Sequence, residues 1–160
     1  MLYFVSMFRS FYALLFLLCV TGYCNAQLPL DQERYVDSLN NILKQNVSDS
    51  VKARANYFLV YYWTPRDTAI ARKHLEAGRR FSRANPYMAA LYYGHEGYFY
   101  YMTDMARSEA AFLKADTLLS RFHTKEAYPA RSNIWSAYAV LQQRKDDDKA
   151  YIDIVLHKAI

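Results

Sequence analysis

Asp67-Thr68-Ala69-Ile70-Ala71-Arg72-Lys73-His74-Leu75-Glu76-Ala77-Gly78 and Asp104-Met105-Ala106-Arg107-Ser108-Glu109-Ala110-Ala111-Phe112-Leu113-Lys114-Ala115 are two versions of one segment. Each opens on an aspartate suited to cap a helix. A small residue follows four positions on (Ala71, Ser108), then a large apolar one (Leu75, Phe112), then a small one three later (Gly78, Ala115). Every pair stands 37 residues apart, as 67 does from 104. Asp146, Ala150, Ile154 and His157 repeat the series 42 residues further on. Upstream, the same offsets align Ala55, Phe58 and Tyr62 with Tyr92, His95 and Phe99, and these with Ile134, Ala137 and Leu141. Steps of four and three are helical, and a recurring period of this length predicts stacked copies of one helix pair. The small residue lets the second helix approach the first, and the large one fills the gap beside it.

Outward from this core the helix signals continue. Tyr35, Val36, Leu39, Ile42 and Leu43 form one stripe of a helix starting near Asp31, broken at Asn46 to Ser50. Ser48, Asp49 or Ser50 can cap a helix from Val51 to about Trp63, which stops at Thr64-Pro65 because a residue before proline leaves the helical region. Asp67 or Thr68 caps the next, to about Ala84, ahead of Asn85-Pro86. Tyr87 to Met102, Asp104 to Phe122, Arg131 to Arg144 and Asp148 onward complete the series, with a linker around Thr124 to Pro129 that can hold a turn of helix. The expected hairpins are 51–84, 87–122 and 131–160.

Composition agrees. With 53% apolar residues the chain of 160 can bury a core, and four glycines and four prolines are too few for the turns of a sandwich or barrel. The formal charge of +5 comes from scattered lysines and arginines without a basic run, which argues against nucleic acid as a partner.

The repeats resemble the tetratricopeptide (TPR) pattern over about Val51 to Ile160. The resemblance implies an all-α fold of antiparallel helical hairpins stacked as a right-handed solenoid. Both periods exceed the 34 residues typical of the family, and its first-helix glycine is replaced by Leu59, Glu96 and Tyr138. The extra five residues of the second period fall in a loop between hairpins, where a solenoid tolerates them. The alternative is an ordinary helical bundle whose hairpins fall into register by chance.

Residues 1–26 read differently. Arg9 is the only charge before Asp31, the apolar run Phe11 to Val20 follows it, and Cys24 and Ala26 are the small residues before Gln27. That order is a secretory signal, so the chain is expected to be exported to the periplasm or cell envelope. An uncleaved anchor and lipid attachment at Cys24 stay open, although Tyr23 fits a lipoprotein signal poorly. Both cysteines, Cys19 and Cys24, lie here, so the domain from 27 on would fold without disulfides.

No catalytic pattern survives inspection. His95-Glu96 begins H-E-x-x-H, but Phe99 stands where the second histidine belongs; His95 is expected in the core or at a hairpin interface. His74, His123 and His157 are isolated, and no phosphate loop or nucleophile elbow occurs. The chain is read as non-enzymatic, with no metal and no cofactor. The signal lies in the aromatics: thirteen of the sixteen tyrosines follow residue 26. Aligned repeats would turn Asn56, Val60 and Trp63, then Tyr93, Gly97 and Tyr100, then Trp135, Ala139 and Gln142 toward a concave groove. Phe58, Tyr62, Tyr92, Phe99 and Phe112 are assigned to the core. The candidate binding residues are therefore Asn56, Trp63, Tyr93, Tyr100 and Trp135, and the expected partner is a protein or peptide, including a second copy of the chain.

Ile160 falls inside the last helix of the third repeat, and a continuation is expected. With the D-S-L-x-x-x-L helix Asp37-Ser38-Leu39 to Leu43, the chain resembles the amino-terminal periplasmic region of TPR-containing sensor histidine kinases. The resemblance implies a downstream membrane span and output domain. A free-standing exported scaffold and a ligand-binding surface lipoprotein are the alternatives; any membrane link is expected through the signal segment or a downstream span.

Overall fold

The computed structural model describes residues 31–158. Among them the chain is all-helical, with seven helices, 79% helix and no strand. The helices are α1 (Gln32–Lys44), α2 (Asp49–Trp63), α3 (Thr68–Ser82), α4 (Pro86–Tyr100), α5 (Met105–Leu119), α6 (Ala127–Arg144) and α7 (Asp148–His157). Residues 1–26, with the expected signal and Cys24, lie outside the described residues. The chain divides into two compact units, Met1–Tyr35 and Val36–Ile160. In the described part of the first, Asp31 accepts the amide of Arg34 at 3.0 Å.

The helix starts follow from capping chemistry. Asp67 accepts the amides of Ala69 and Ile70, Asn85 that of Met88, and Asp104 that of Arg107. Each satisfies donors that the first helical turn leaves without partners. Pro86 follows Asn85 at the first helical position, where its missing N–H costs nothing. Two local expectations are corrected. The third repeat is capped by Asp147, which accepts from Ala150, because Asp146 adopts φ 58° and adds a residue to the turn. Helix α6 begins at Ala127 rather than Arg131, since Pro129 falls in its first turn, where proline is tolerated.

Packing runs along the chain. Helix α2 packs on α3 and α4, α4 on α5 and α6, and α6 on α7; α3 also meets α4, and α5 meets α6. Three clusters form the core. Val36 and Leu39 of α1 meet Ala55 and Leu59 of α2. Ala53, Tyr57 and Val60 meet Ala71 and Leu75 of α3, and Met88, Tyr92 and Phe99 of α4. Ala90 of α4 joins Phe112, Ala115 and Leu119 of α5, with Ile134 and Leu141 of α6. Ala71 and Ser108 are fully buried, while Ala150 is half-buried.

The small-and-large logic of the repeat is realised with its partners exchanged. At Gly78 an added Cβ would lie 2.5 Å from Cε1 of Tyr57, and at Gly97 it would lie 2.6 Å from Cδ1 of Phe112. The first hairpin puts the ring on its first helix and the glycine on its second; the second hairpin does the reverse. In both, ring and backbone are in direct contact, which only glycine allows. The Tyr57 hydroxyl donates to the Met88 carbonyl at 3.2 Å and lies 3.4 Å from that of Gly78, so one buried ring ties α2 to both α3 and α4.

Candidate binding cleft

Helices α2, α4 and α6 are the first members of their pairs, and a cavity of about 290 Å³ lies between them. Arg54, Phe58 and Tyr61 line it from α2, Leu91, His95 and Tyr98 from α4, and Asn133, Ile134 and Ala137 from α6. These positions obey the repeat register: 54, 91 and 133 correspond, as do 58, 95 and 137, with 61 and 98 one turn further on. The cleft is thus one face of each first helix, used three times. Phe58 and Tyr61 keep 42% and 39% of their surface, enough for a ligand to touch the rings.

Its aromatic wall is ordered. The His95 ring stacks on Tyr57 at 4.3 Å and meets the edge of Tyr61 at 5.1 Å, while Tyr61 and Tyr98 lie 4.2 Å apart. Burial holds His95 far below the ordinary imidazole value, at about 3, so the ring is neutral at physiological pH. Its Nδ1 is shut from solvent and has no hydrogen-bond partner among the described residues. Burial also pushes the Tyr61 phenol up to about 12, which keeps it a neutral donor. At one rim Tyr87 donates to the Glu126 carbonyl at 3.1 Å, near Arg54. The stacked imidazole and the phenols offer contact area and single hydrogen bonds.

None of the five residues singled out from sequence lines this cavity. Asn56 is buried between α2 and α3; its Nδ2 donates to the Lys52 carbonyl and its Oδ1 lies 2.9 Å from Nδ1 of His74. Trp63 is half-buried and packs against the clusters on both flanks of α2. Tyr93 lies under Lys114, 4.2 Å from ammonium to ring centre. Tyr100 is buried, with the Arg107 guanidinium 3.8 Å over its ring and Nη1 of Arg72 3.5 Å from its hydroxyl. Trp135 donates its Nε1–H to Asp116 at 2.9 Å. The structure spreads these side chains over the flanks where α2, α4 and α6 meet their neighbours.

The reason is rotational. Two residues along a helix turn the side chain about 200°, so a frame placed at 56, 60 and 63 points away from one at 54, 58 and 61. Phe58, expected in the core, is accordingly in the cleft. Helix α2 buries residues toward α1 on one side and toward α3 and α4 on another, so its apolar pattern carries no single inward stripe. The signal that could have found the cleft was the aligned triplet of Phe58, His95 and Ala137, where one register position holds an aromatic, an imidazole and a methyl group.

Among the described residues no cluster of three or more His, Cys, Asp or Glu is placed to hold a metal, and no helix is long and apolar enough to cross a membrane. No protein-family model matches the chain, and neither a curated protein nor a solved structure matches it.

Proposed function

We propose that this chain is an exported, non-enzymatic interaction module of TPR-like repeats, a right-handed solenoid whose first helices hold an extended segment of a protein partner. One observation carries the reading. The cavity between α2, α4 and α6 is lined at positions that recur with the repeat, and its reachable rings are Phe58, Tyr61 and Tyr98. Aromatic side chains give large contact area at low conformational cost, and a cleft of this volume accepts the side chain of a bound peptide. The pairwise packing of α2 with α3, α4 with α5 and α6 with α7 supports the repeat reading, as does the 37-residue step between the caps Asp67 and Asp104. The resemblance of the sequence favours the periplasmic input region of a sensor histidine kinase as the setting. A free-standing scaffold is separated from it by the reading frame beyond Ile160, and a lipoprotein by the mass of the mature amino terminus.

The test is site-specific photo-crosslinking in the cell envelope. A photo-reactive side chain at Phe58 or Tyr61 is expected to give a discrete adduct, and the same group at Leu113, equally exposed on α5, is expected to give none. The adduct at Tyr61 should fall several-fold in Tyr98→Ala with the melting temperature unchanged. Equal adducts at all three positions, or none at Phe58 and Tyr61, would remove the cleft as the binding surface.

A further inference from the structure

Helix α3 carries an unbalanced charge. Arg72, Lys73, Arg79 and Arg80 are exposed on it against Glu76, so four cations less one anion leave +3; Arg83 at its C-terminal cap is exposed too and offsets Asp67 at its N-terminal cap. The other long second helix is neutral: α5 sets Arg107 and Lys114 against Glu109 and Asp116. No carboxylate among the described residues makes an ion pair with any of the five. At about 100° per residue the five fall within an arc of about 120° that begins about 40° from the buried Leu75 and has Glu76 near its middle; Arg72 and Arg79, at its near edge, lie over rings of α4. Three are held by rings beneath them: Arg72 lies 5.3 Å from the centre of Phe99, Arg79 5.4 Å from Tyr92, and Arg80 5.2 Å from Phe81. Arg72 also turns Nη1 to the Tyr100 hydroxyl, while the guanidinium of Arg79 or Arg80 resting on its ring keeps its N–H edges for an outside acceptor.

We propose that the outer face of α3 docks this protein on an anionic phospholipid surface. With Glu76 as the one acid among them, these cations leave the helix face net positive, which is complementary to an extended anionic array. None of the cleft-lining residues comes from α3, so this face offers charge without an enclosing pocket. A leaflet of phosphodiester headgroups fits that description, since it needs no pocket and each nearby Lys or Arg adds to the attraction. The surface is separate from the cleft, so a partner in the cleft and a membrane under α3 can be held together.

The experiment is partition of the full chain onto vesicles of phosphatidylcholine alone and with about 30% phosphatidylglycerol, at about 0.1 M salt. The ratio of the two partition coefficients cancels any contribution from the apolar run at residues 11–20. The triple variant K73Q/R80Q/R83Q is expected to lower that ratio on the order of 100-fold, from about five-fold per cation. The triple variant R121Q/K125Q/K149Q removes the same charge elsewhere and is expected to change it by less than about three-fold. High salt should abolish the wild-type preference. A wild-type ratio near one, or equal losses in the two triple variants, overturns the proposal. So does wild-type binding to polyglutamate without binding to the anionic vesicles, which would make the face a site for acidic protein.

Discussion

The α2–α5 half of the molecule and the α6–α7 end are joined by different kinds of contact. Between α2 and α5 the joints are rings against backbone: Tyr57 on Gly78 and Phe112 on Gly97 leave no room for a methyl group. Helix α6 meets α5 through the apolar cluster of Ile134 and Leu141 with Phe112 and Leu119 and, in addition, through two carboxylates. Glu109 accepts from Tyr138 at 2.7 Å, Gln142 at 2.8 Å and Lys145 at 2.9 Å, and Asp116 accepts from Arg131 at 2.7 Å and from Trp135. Beyond it α7 buries only Ile154 fully and leaves Ile152 and Leu156 more than half exposed. Ring-to-backbone contacts depend on shape and are indifferent to salt, whereas partly exposed ion pairs contribute modestly and weaken with ionic strength. The α2–α5 half is therefore fixed chiefly by shape, while the α5–α6 joint adds contacts that weaken with salt.

The largest effect should come from the α2–α5 half. Tyr57→Ala removes a fully buried ring that touches α3 and bonds toward α4, and is expected to cost about 3–5 kcal/mol in urea unfolding. A cost near 1 kcal/mol would mean that the rings do not set this half apart. The second prediction separates the halves by pH. His95 in the folded chain binds a proton only near pH 3, while the unfolded chain binds one near 6.5. The unfolded state thus holds more protons between these values, and stability falls as pH drops through that window. Glu109 behaves differently: the hydrogen bond from Tyr138, with help from Lys145 and Gln142, holds its carboxyl below 4.5. Its stabilisation is complete above 4.5 and is lost only as pH falls through the lowered folded value. Thermal melts from pH 6.5 to 4.5 should therefore lose on the order of 2 kcal/mol. The loss should shrink in His95→Gln to the part that His74, also lowered by burial, contributes, and persist in full in Glu109→Gln. The smallest effect belongs to the loose end, where Ile152→Ser should change stability by no more than about 0.5 kcal/mol.

Sequence carried the helices well, because their punctuation is local. Asp67, Asn85-Pro86 and Asp104 cap where their side chains can reach the first amides, whatever lies beyond. The 37-residue step between the caps Asp67 and Asp104 was legible for the same reason, being a distance along the chain. What the sequence hid was azimuth. Helices α2 and α4 are apolar nearly all round, since each packs on several neighbours, and a helix without a polar face does not announce which side is left over. His95 shows the difficulty, being a core residue by its enclosed Nδ1 and a cleft residue by its neighbours. The shift from Asp146 to Asp147 was hidden because three consecutive aspartates cap equally well until the backbone chooses one.

The chain contains two tryptophans, and the fold has put one near each end. Trp63 lies in the apolar contacts at the end of α2, against the edge of Tyr62, and Trp135 holds Asp116 from α6. Indole emission moves to longer wavelength on hydration and is sensitive to a nearby carboxylate. Changing either tryptophan to phenylalanine would leave a single fluorophore reporting its own end. Unfolding followed at one end and then at the other would show whether melting begins at α6 and travels toward α2, or whether the whole array lets go at once.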